Sequence, residues 1–187
     1  VNEAEYKYDL SKGSAMDEHN KEDIVDHLID VYGDRILHMA YTYVKNEATA
    51  EDLTQDVFIK CYEKLDQFHG RSSLKTWLYC VAANHFRDYL KSWHHRKVSL
   101  NEKVLSYFPS QNRNVEETVV ARDDEQQLSE AVMALPVKYR EVVFLHYYEE
   151  LPLADVSRMT GVNTNTLKTR LTRARQLLKE MISEEEK

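Results

Sequence analysis

Two runs of cationic side chains are the residues of this chain whose types and spacing suit chemistry, and that chemistry is the binding of phosphate. Between Arg71 and Lys97 the basic residues are Arg71, Lys75, Arg87, Lys91, Arg96 and Lys97, set against the single acid Asp88. Lys168, Arg170, Arg173, Arg175 and Lys179 form the second run, with no acid before Glu180. The whole chain nevertheless carries a formal charge of −7, because acids gather at Glu47–Asp56, Glu116–Glu130 and Glu184–Glu186. Local basic stretches on an acidic protein point to two separate contacts with a polyanion, not to general stickiness. On charge alone, two solvated helix faces would look the same.

Covalent chemistry is poorly provided for. The sequence offers no nucleophile–base pair, no phosphate-binding glycine loop and no metal-ligand cluster, so a non-catalytic protein without cofactor is expected. Cys61 and Cys80 stand alone, without CxxC spacing. His94 and His95 invite a metal reading, but neighbours on a helix point about 100° apart and no third ligand is evident. No run approaches the roughly 18–20 apolar residues of a membrane span, so no membrane insertion is expected. The N-terminus lacks a basic start followed by an apolar stretch, and a cytoplasmic protein is the simplest expectation.

The elements that must position these groups are helical. Four Gly and three Pro among 187 residues, with abundant Leu, Glu, Lys and Ala, predict an all-α fold. Residues 1–20 are polar and aperiodic; Gly13-Ser14-Ala15-Met16 looks like a cloning remnant ahead of a start methionine, or else belongs to a natural tail. From Glu22 to Lys45, apolar residues at Val25, Leu28, Tyr32, Ile36, Met39 and Tyr43 recur in steps of three or four, which predicts one amphipathic helix. Asn46 or Thr49 can cap the next, whose buried stripe is Ala50, Leu53, Val57, Cys61 and Leu65. The stretch Asp66–Ser73 breaks the period and reads as a loop. Ser72 or Ser73 then caps a third helix, with Trp77, Leu78, Val81, Ala82, Phe86 and Tyr89 inward and Tyr79 undecided. The expected organisation is a tail (1–20), a three-to-four-helix bundle (21–98), a flexible linker (99–125) and a smaller helical domain (126–187). Asn101–Asn114, with Pro109 and many Asn and Ser, is the least periodic part of that linker, and helicity resumes from about Glu116. Leu128, Val132 and Leu135 are read as an apolar face.

The smaller domain carries a helix-turn-helix pattern. A helix over Lys138–Tyr148 leads to a short one over Leu153–Met159, with Ala154 and Val156 facing inward. Gly161 supplies a left-handed turn. Asn163 or Thr164 caps the final helix, in which Leu167, Leu171 and Ala174 are inside. Its outward residues Lys168, Thr169, Thr172 and Arg173 form a strip suited to base edges in the major groove, and Thr164, Asn165 and Thr166 can donate to phosphate. An antiparallel helix pair with a solvated basic face would share the pattern.

Five phrases in register then carry a resemblance: Ala50–Phe58 (AEDLTQDVF), Phe68–Leu78 (FHGRSSLKTWL), Val81–Asp88 (VAANHFRD), Leu135–Arg140 (LPVKYR) and Thr166–Arg175 (TLKTRLTRAR). Together they resemble the extracytoplasmic-function (ECF) sigma factors of the sigma-70 family, over roughly residues 22–182. The resemblance implies a sigma-2 type domain and a sigma-4 type domain, and a chain that directs promoter-specific transcription initiation. It implies that Asp52, Gln55 and Asp56 dock on the beta-prime clamp helices of core RNA polymerase. It implies that Phe68, His69, Gly70, Arg71, Ser72 and Lys75, with Asn84, Arg87, Lys91, His94 and Arg96, meet the −10 element, where Asn84 faces a flipped base. Thr164, Asn165, Thr166, Lys168, Thr169, Arg170, Thr172 and Arg173 are implied at the −35 element. Some relatives carry Arg where this chain has Lys168 and Gly where it has Asn165, and Lys lacks the bidentate fork for guanine, so the preferred bases are expected to differ. The beta flap of the polymerase, promoter DNA and an anti-sigma protein complete the implied partners. The rival readings are a helix-turn-helix regulator that works without polymerase, and a pure protein-interaction module.

Overall fold

A computed structural model of the chain describes the backbone of residues 18–104 and 124–185, and side chains from 19 to 93 and from 126 to 183. Among these residues every regular element is helical, and there are seven α-helices: α1 (Glu18–Val44), α2 (Glu47–Lys64), α3 (Leu74–Val104), α4 (Asp124–Ala134), α5 (Val137–Val143), α6 (Leu153–Thr160) and α7 (Thr164–Glu185).

The local signals act much as the sequence suggests. Lys45 leaves α1 in the left-handed conformation, φ 53°, and Asn46 starts α2 by accepting from the Thr49 amide at 2.9 Å. Of the two serines before α3, Ser73 is the cap, its Oγ accepting from the Thr76 amide at 3.1 Å. Gly161 closes α6 at φ 68°, and Asn163 opens α7 by accepting from the Thr166 amide at 2.9 Å. The stripes Val25, Leu28, Tyr32, Ile36, Met39, Tyr43 and Ala50, Leu53, Val57, Cys61, Leu65 are buried.

Four expectations need correction. α3 runs to Val104, so the part of the expected linker from 99 to 104 is helical; residues 105–123, including most of Asn101–Asn114 and the resumption expected at Glu116, lie outside the described residues, as does the tail to residue 17. Leu128 is exposed, and the buried face of α4 is Ala131, Val132 and the following Leu135. Ala154 is exposed too, because α6 turns Val156, Met159 and Thr160 inward. The helix expected over Lys138–Tyr148 changes character at Phe144, where a π-helical turn (Phe144–Tyr148) follows α5. Its closing bond runs from the Glu149 amide to the Phe144 carbonyl at 3.1 Å.

The larger finding concerns how the halves sit. α1, α2 and α3 form one bundle and α4 to α7 another, but they are packed on each other: α5 lies against α1 and α6 against α3. A single apolar core runs from Ile24 through Phe86 to Ala174. Burial of that continuous apolar surface is the main force holding the arrangement.

Candidate functional site

On α2, a buried stripe toward α1 leaves Asp52, Gln55 and Asp56 on the opposite, exposed side. Asp56 is not bare: Nε2 of His85 on α3 lies 3.2 Å from its carboxylate. Burial and the neighbouring Lys60 ammonium hold the His85 imidazole below its usual pKa, while Asp56 acts in the opposite direction. Ile59, one turn further along α2, is an exposed large apolar side chain on the same side.

The loop before α3 divides into an inside and an outside. His69, Gly70 and Arg71 are exposed, Ser72 is half-buried, and Gly70 takes φ 66°. Phe68 is corrected from a DNA-contacting residue to a core residue: it is 7% exposed and its ring packs on Trp77, centroids 5.5 Å apart. An aromatic ring in that position cannot reach a base without unpacking the end of α2. On α3, Asn84 is exposed and its Oδ1 accepts from Arg87 Nη2 at 2.9 Å, while exposed Lys91 pairs with Asp88 at 3.1 Å. His94 and Arg96 have side chains outside the described residues.

Lys75 and Arg87 have partners that the sequence did not suggest. Arg87 reaches across to the C-terminal end of α6, where Nη1 donates to the Thr160 carbonyl at 2.6 Å and Nη2 to the Met159 carbonyl at 2.7 Å. A guanidinium suits that place, since helix C-termini present unpaired carbonyls and partial negative charge. Its Nε also lies 3.6 Å from the Glu141 carboxylate. Lys75 Nζ donates to the Glu149 carbonyl oxygen at 3.3 Å.

Both glutamates are buried, Glu141 at 5% and Glu149 at 4% exposure, and each takes a proton donor from the other half. Tyr43 on α1 donates to Glu141 at 2.6 Å, and Tyr79 on α3 donates to Glu149 at 2.5 Å, with Arg35 3.6 Å from the same carboxylate. Burial first, and the carboxylates second, push both phenols well above their ordinary pKa, so each stays a donor. Hydrogen bonds to an ionised group are worth about 1.5–3 kcal/mol each, and a buried carboxylate stripped of them costs more. The helical period alone does not decide the direction of Tyr79, and no local pattern marks Glu149 as buried. The available signal is an acid, Glu141, sitting in phase with the apolar run Val142–Leu145.

α7 presents a different surface. Asn165, Thr166, Lys168, Thr169, Thr172 and Arg173 are exposed, Thr164 and Arg170 half-buried, and Leu167, Leu171 and Ala174 are buried beneath them. The Thr169 and Thr172 hydroxyls donate back to the carbonyls of Asn165 and Lys168, at 3.0 and 3.1 Å, which orients them along the helix. Arg175 is held to Tyr147 of the π-helical turn by hydrogen bonds and by a guanidinium–ring contact of 5.7 Å. Among the described residues no cluster of His, Cys, Asp and Glu is arranged to hold a metal. No helix there is long and apolar enough to cross a membrane.

Comparison with known proteins agrees with this geometry. The family model for sigma-70 region 2 matches residues 28–96, and that for sigma-70 region 4 matches residues 125–178. The ECF RNA polymerase sigma factor SigW of Bacillus subtilis (strain 168) is 29% identical over 162 residues, covering 83% of this chain and 87% of the relative. RNA polymerase sigma factor SigV of the same organism is 28% identical over 163 residues, covering 87% and 90%. Among solved structures, the sigma factor RpoE in complex with the anti-sigma factor NepR from Bartonella quintana aligns with a TM-score of 0.66 at 25% identity, over 87% of this chain and 98% of that one. CnrH in complex with the cytosolic domain of CnrY shares the fold, with a TM-score of 0.61 at 17% identity over 89% and 92%.

Proposed function

This chain belongs to the sigma-70 family, in its extracytoplasmic-function class, and from that premise we propose how it works as an RNA polymerase sigma factor. It binds core polymerase and directs initiation at promoters by recognising −10 and −35 elements and assisting melting. The polymerase supplies the nucleotidyl-transfer chemistry in the cytoplasm, and this chain supplies specificity without catalysis. The observation that carries the reading is the outer strip of α7. Four side chains able to reach bases, Lys168, Thr169, Thr172 and Arg173, are exposed on a helix fixed by an asparagine cap and a glycine turn.

The division of labour follows the two family regions. Residues 21–98 form the sigma-2 type domain and 126–187 the sigma-4 type domain. Asp52, Gln55 and Asp56 offer acids and an amide to the cationic clamp helices of the polymerase, where complementary charge governs encounter and register. His69, Arg71, Asn84 and Lys91 meet the −10 strand from the loop and from α3, together with Lys75 and Arg87 once these are released from their present partners. The sigma-4 type domain also meets the beta flap, and an anti-sigma protein is a third partner.

Purified chain, core bacterial RNA polymerase and a promoter library provide the test. Core binding and run-off transcripts from a subset of promoters are expected. Asp52→Lys/Asp56→Lys should abolish core capture while helicity is kept. A chain that binds duplex DNA but never captures core polymerase would establish the regulator without polymerase instead.

A further inference from the structure

A carboxylate on an exposed helix face gives up rotamer freedom when a partner docks, and that loss weakens the contact. Of Asp52 and Asp56 on the outer side of α2, the second is oriented beforehand. His85 Nε2, from α3 and 29 residues away in the chain, lies 3.2 Å from Asp56 Oδ2. Asp52, one turn earlier, has no such partner among the described residues. An ionised carboxylate can only accept, so the imidazole is the donor and its proton sits on Nε2. We propose that His85 is a positioning residue for core polymerase: it fixes the Asp56 carboxylate in one orientation and leaves its negative charge to the clamp helices. The proposal rests on the reading of α2 as the core-docking helix.

Three observations favour a positioning role over a casual surface pair. The donor is rooted while the acceptor stays accessible: the His85 side chain is 16% exposed, against 56% for Asp56. The imidazole stands beside Phe86, ring centroids 6.2 Å apart, and Phe86 is fully buried in the core. The bond is to Oδ2, which leaves Oδ1 and its lone pairs for an incoming lysine or arginine. The charges around the ring complete the case. Burial first, then the Lys60 ammonium of α2, favour the neutral imidazole, while Asp56 and Asp88 act in the opposite direction. A neutral donor orients the acid without cancelling its charge, whereas a cation in this place would compete with the polymerase for it.

The test is a substitution series at His85 in the full chain, read as binding of the labelled protein to core bacterial RNA polymerase by fluorescence anisotropy. His85→Gln keeps a neutral donor, His85→Leu fills the space without one, and His85→Lys donates but carries charge. The glutamine variant is expected to bind as the wild type does, and the leucine and lysine variants about threefold to tenfold more weakly. Combined with Asp56→Ala, the loss caused by His85→Leu is expected to vanish; combined with Asp52→Ala, it is expected to persist in full. A leucine or lysine variant equal to the wild type, a glutamine variant as weak as the leucine one, or a loss that survives Asp56→Ala overturns the proposal. If the leucine or lysine variant loses far-UV helicity, NMR of the His85 ring nitrogens decides with the native histidine in place. The wild type is expected to carry its proton on Nε2 and Asp56→Ala to alter that pattern, and identical ring signals in the two proteins overturn the proposal. Core capture by the wild type, and its loss in Asp52→Lys/Asp56→Lys, tests the docking reading without touching His85. Capture that is lost there and unchanged across the His85 series removes the positioning role alone.

Discussion

α3 and α7 are written in the same alphabet, with lysines and arginines at helical spacing, and the structure treats them in opposite ways. On α7 the cations at 168 and 173 face outward. On α3 the cations at 75 and 87 are spent on backbone carbonyls 72 to 74 residues away in the chain. Charge in a sequence thus reports capacity for phosphate, whereas availability depends on what the fold brings opposite. The decisive feature is the C-terminal end of α6, whose last carbonyls offer Arg87 an anion-like site.

The largest expected effect separates these helices by stability. Arg87→Ala should cost about 2–4 kcal/mol, because it strips buried Glu141 of its nearby cation and two α6 carbonyls of their donor. Arg173→Ala, an exposed site, should stay within about 0.5 kcal/mol of wild type. Urea unfolding of both reads the difference, and equal losses would erase the contrast. Next comes specificity. Lys168→Ala should alter −35 preference by about 1–3 kcal/mol at one or two base pairs in binding assays over a promoter library. A uniform loss at all promoters would make Lys168 a backbone contact and bring α7 closer to α3 in kind. A smaller effect concerns the rigidity of the strip: Asn163→Ala should lower thermal stability by about 1 kcal/mol through loss of the α7 cap, with the α3 contacts unchanged by hydrogen exchange.

The smallest is a pH effect at His85, the link between α3 and the acids of α2. Its folded pKa lies below the unfolded value near 6.5, so folding favours the neutral ring. The stability that this contributes is present above the unfolded pKa and is lost as pH falls from there through the folded pKa. His85→Gln should remove that component of the acid sensitivity between wild-type and variant melts. A wild type and variant with identical pH profiles would show that burial of the ring is too slight to matter.

Most helices were legible because one amphipathic period needs only local information. Stripes such as Leu28, Ile36 and Met39 set which face is buried, and Asn, Ser and Gly punctuation set the ends. The candidate surface on α7 was legible for the same reason, its inside and outside being fixed by Leu167, Leu171 and Ala174. Phe68 was misjudged because a loop residue has no period to declare its direction; only its packing on Trp77 does so. The glutamates escaped notice for a different cause. Glu141 and Glu149 are tolerated inside because tyrosines 98 and 70 residues away meet them, and no pattern within a helix encodes such a pairing. Leu128 and Ala154 show the converse error, apolar residues assigned to an interior that the adjacent helices do not build.

The π-helical turn has a consequence for how this region can vary. A wide turn holds one residue more than an α-helical one, and everything after it is rotated by about 100° relative to a regular helix. Glu149 ends that turn, so its aim toward Tyr79 depends on the residue count from Phe144 to Tyr148 as much as on residue identity. Side-chain changes there should be absorbed. A single-residue deletion should not, since it would swing Glu149 off α3 and shift the approach to α6 in one step.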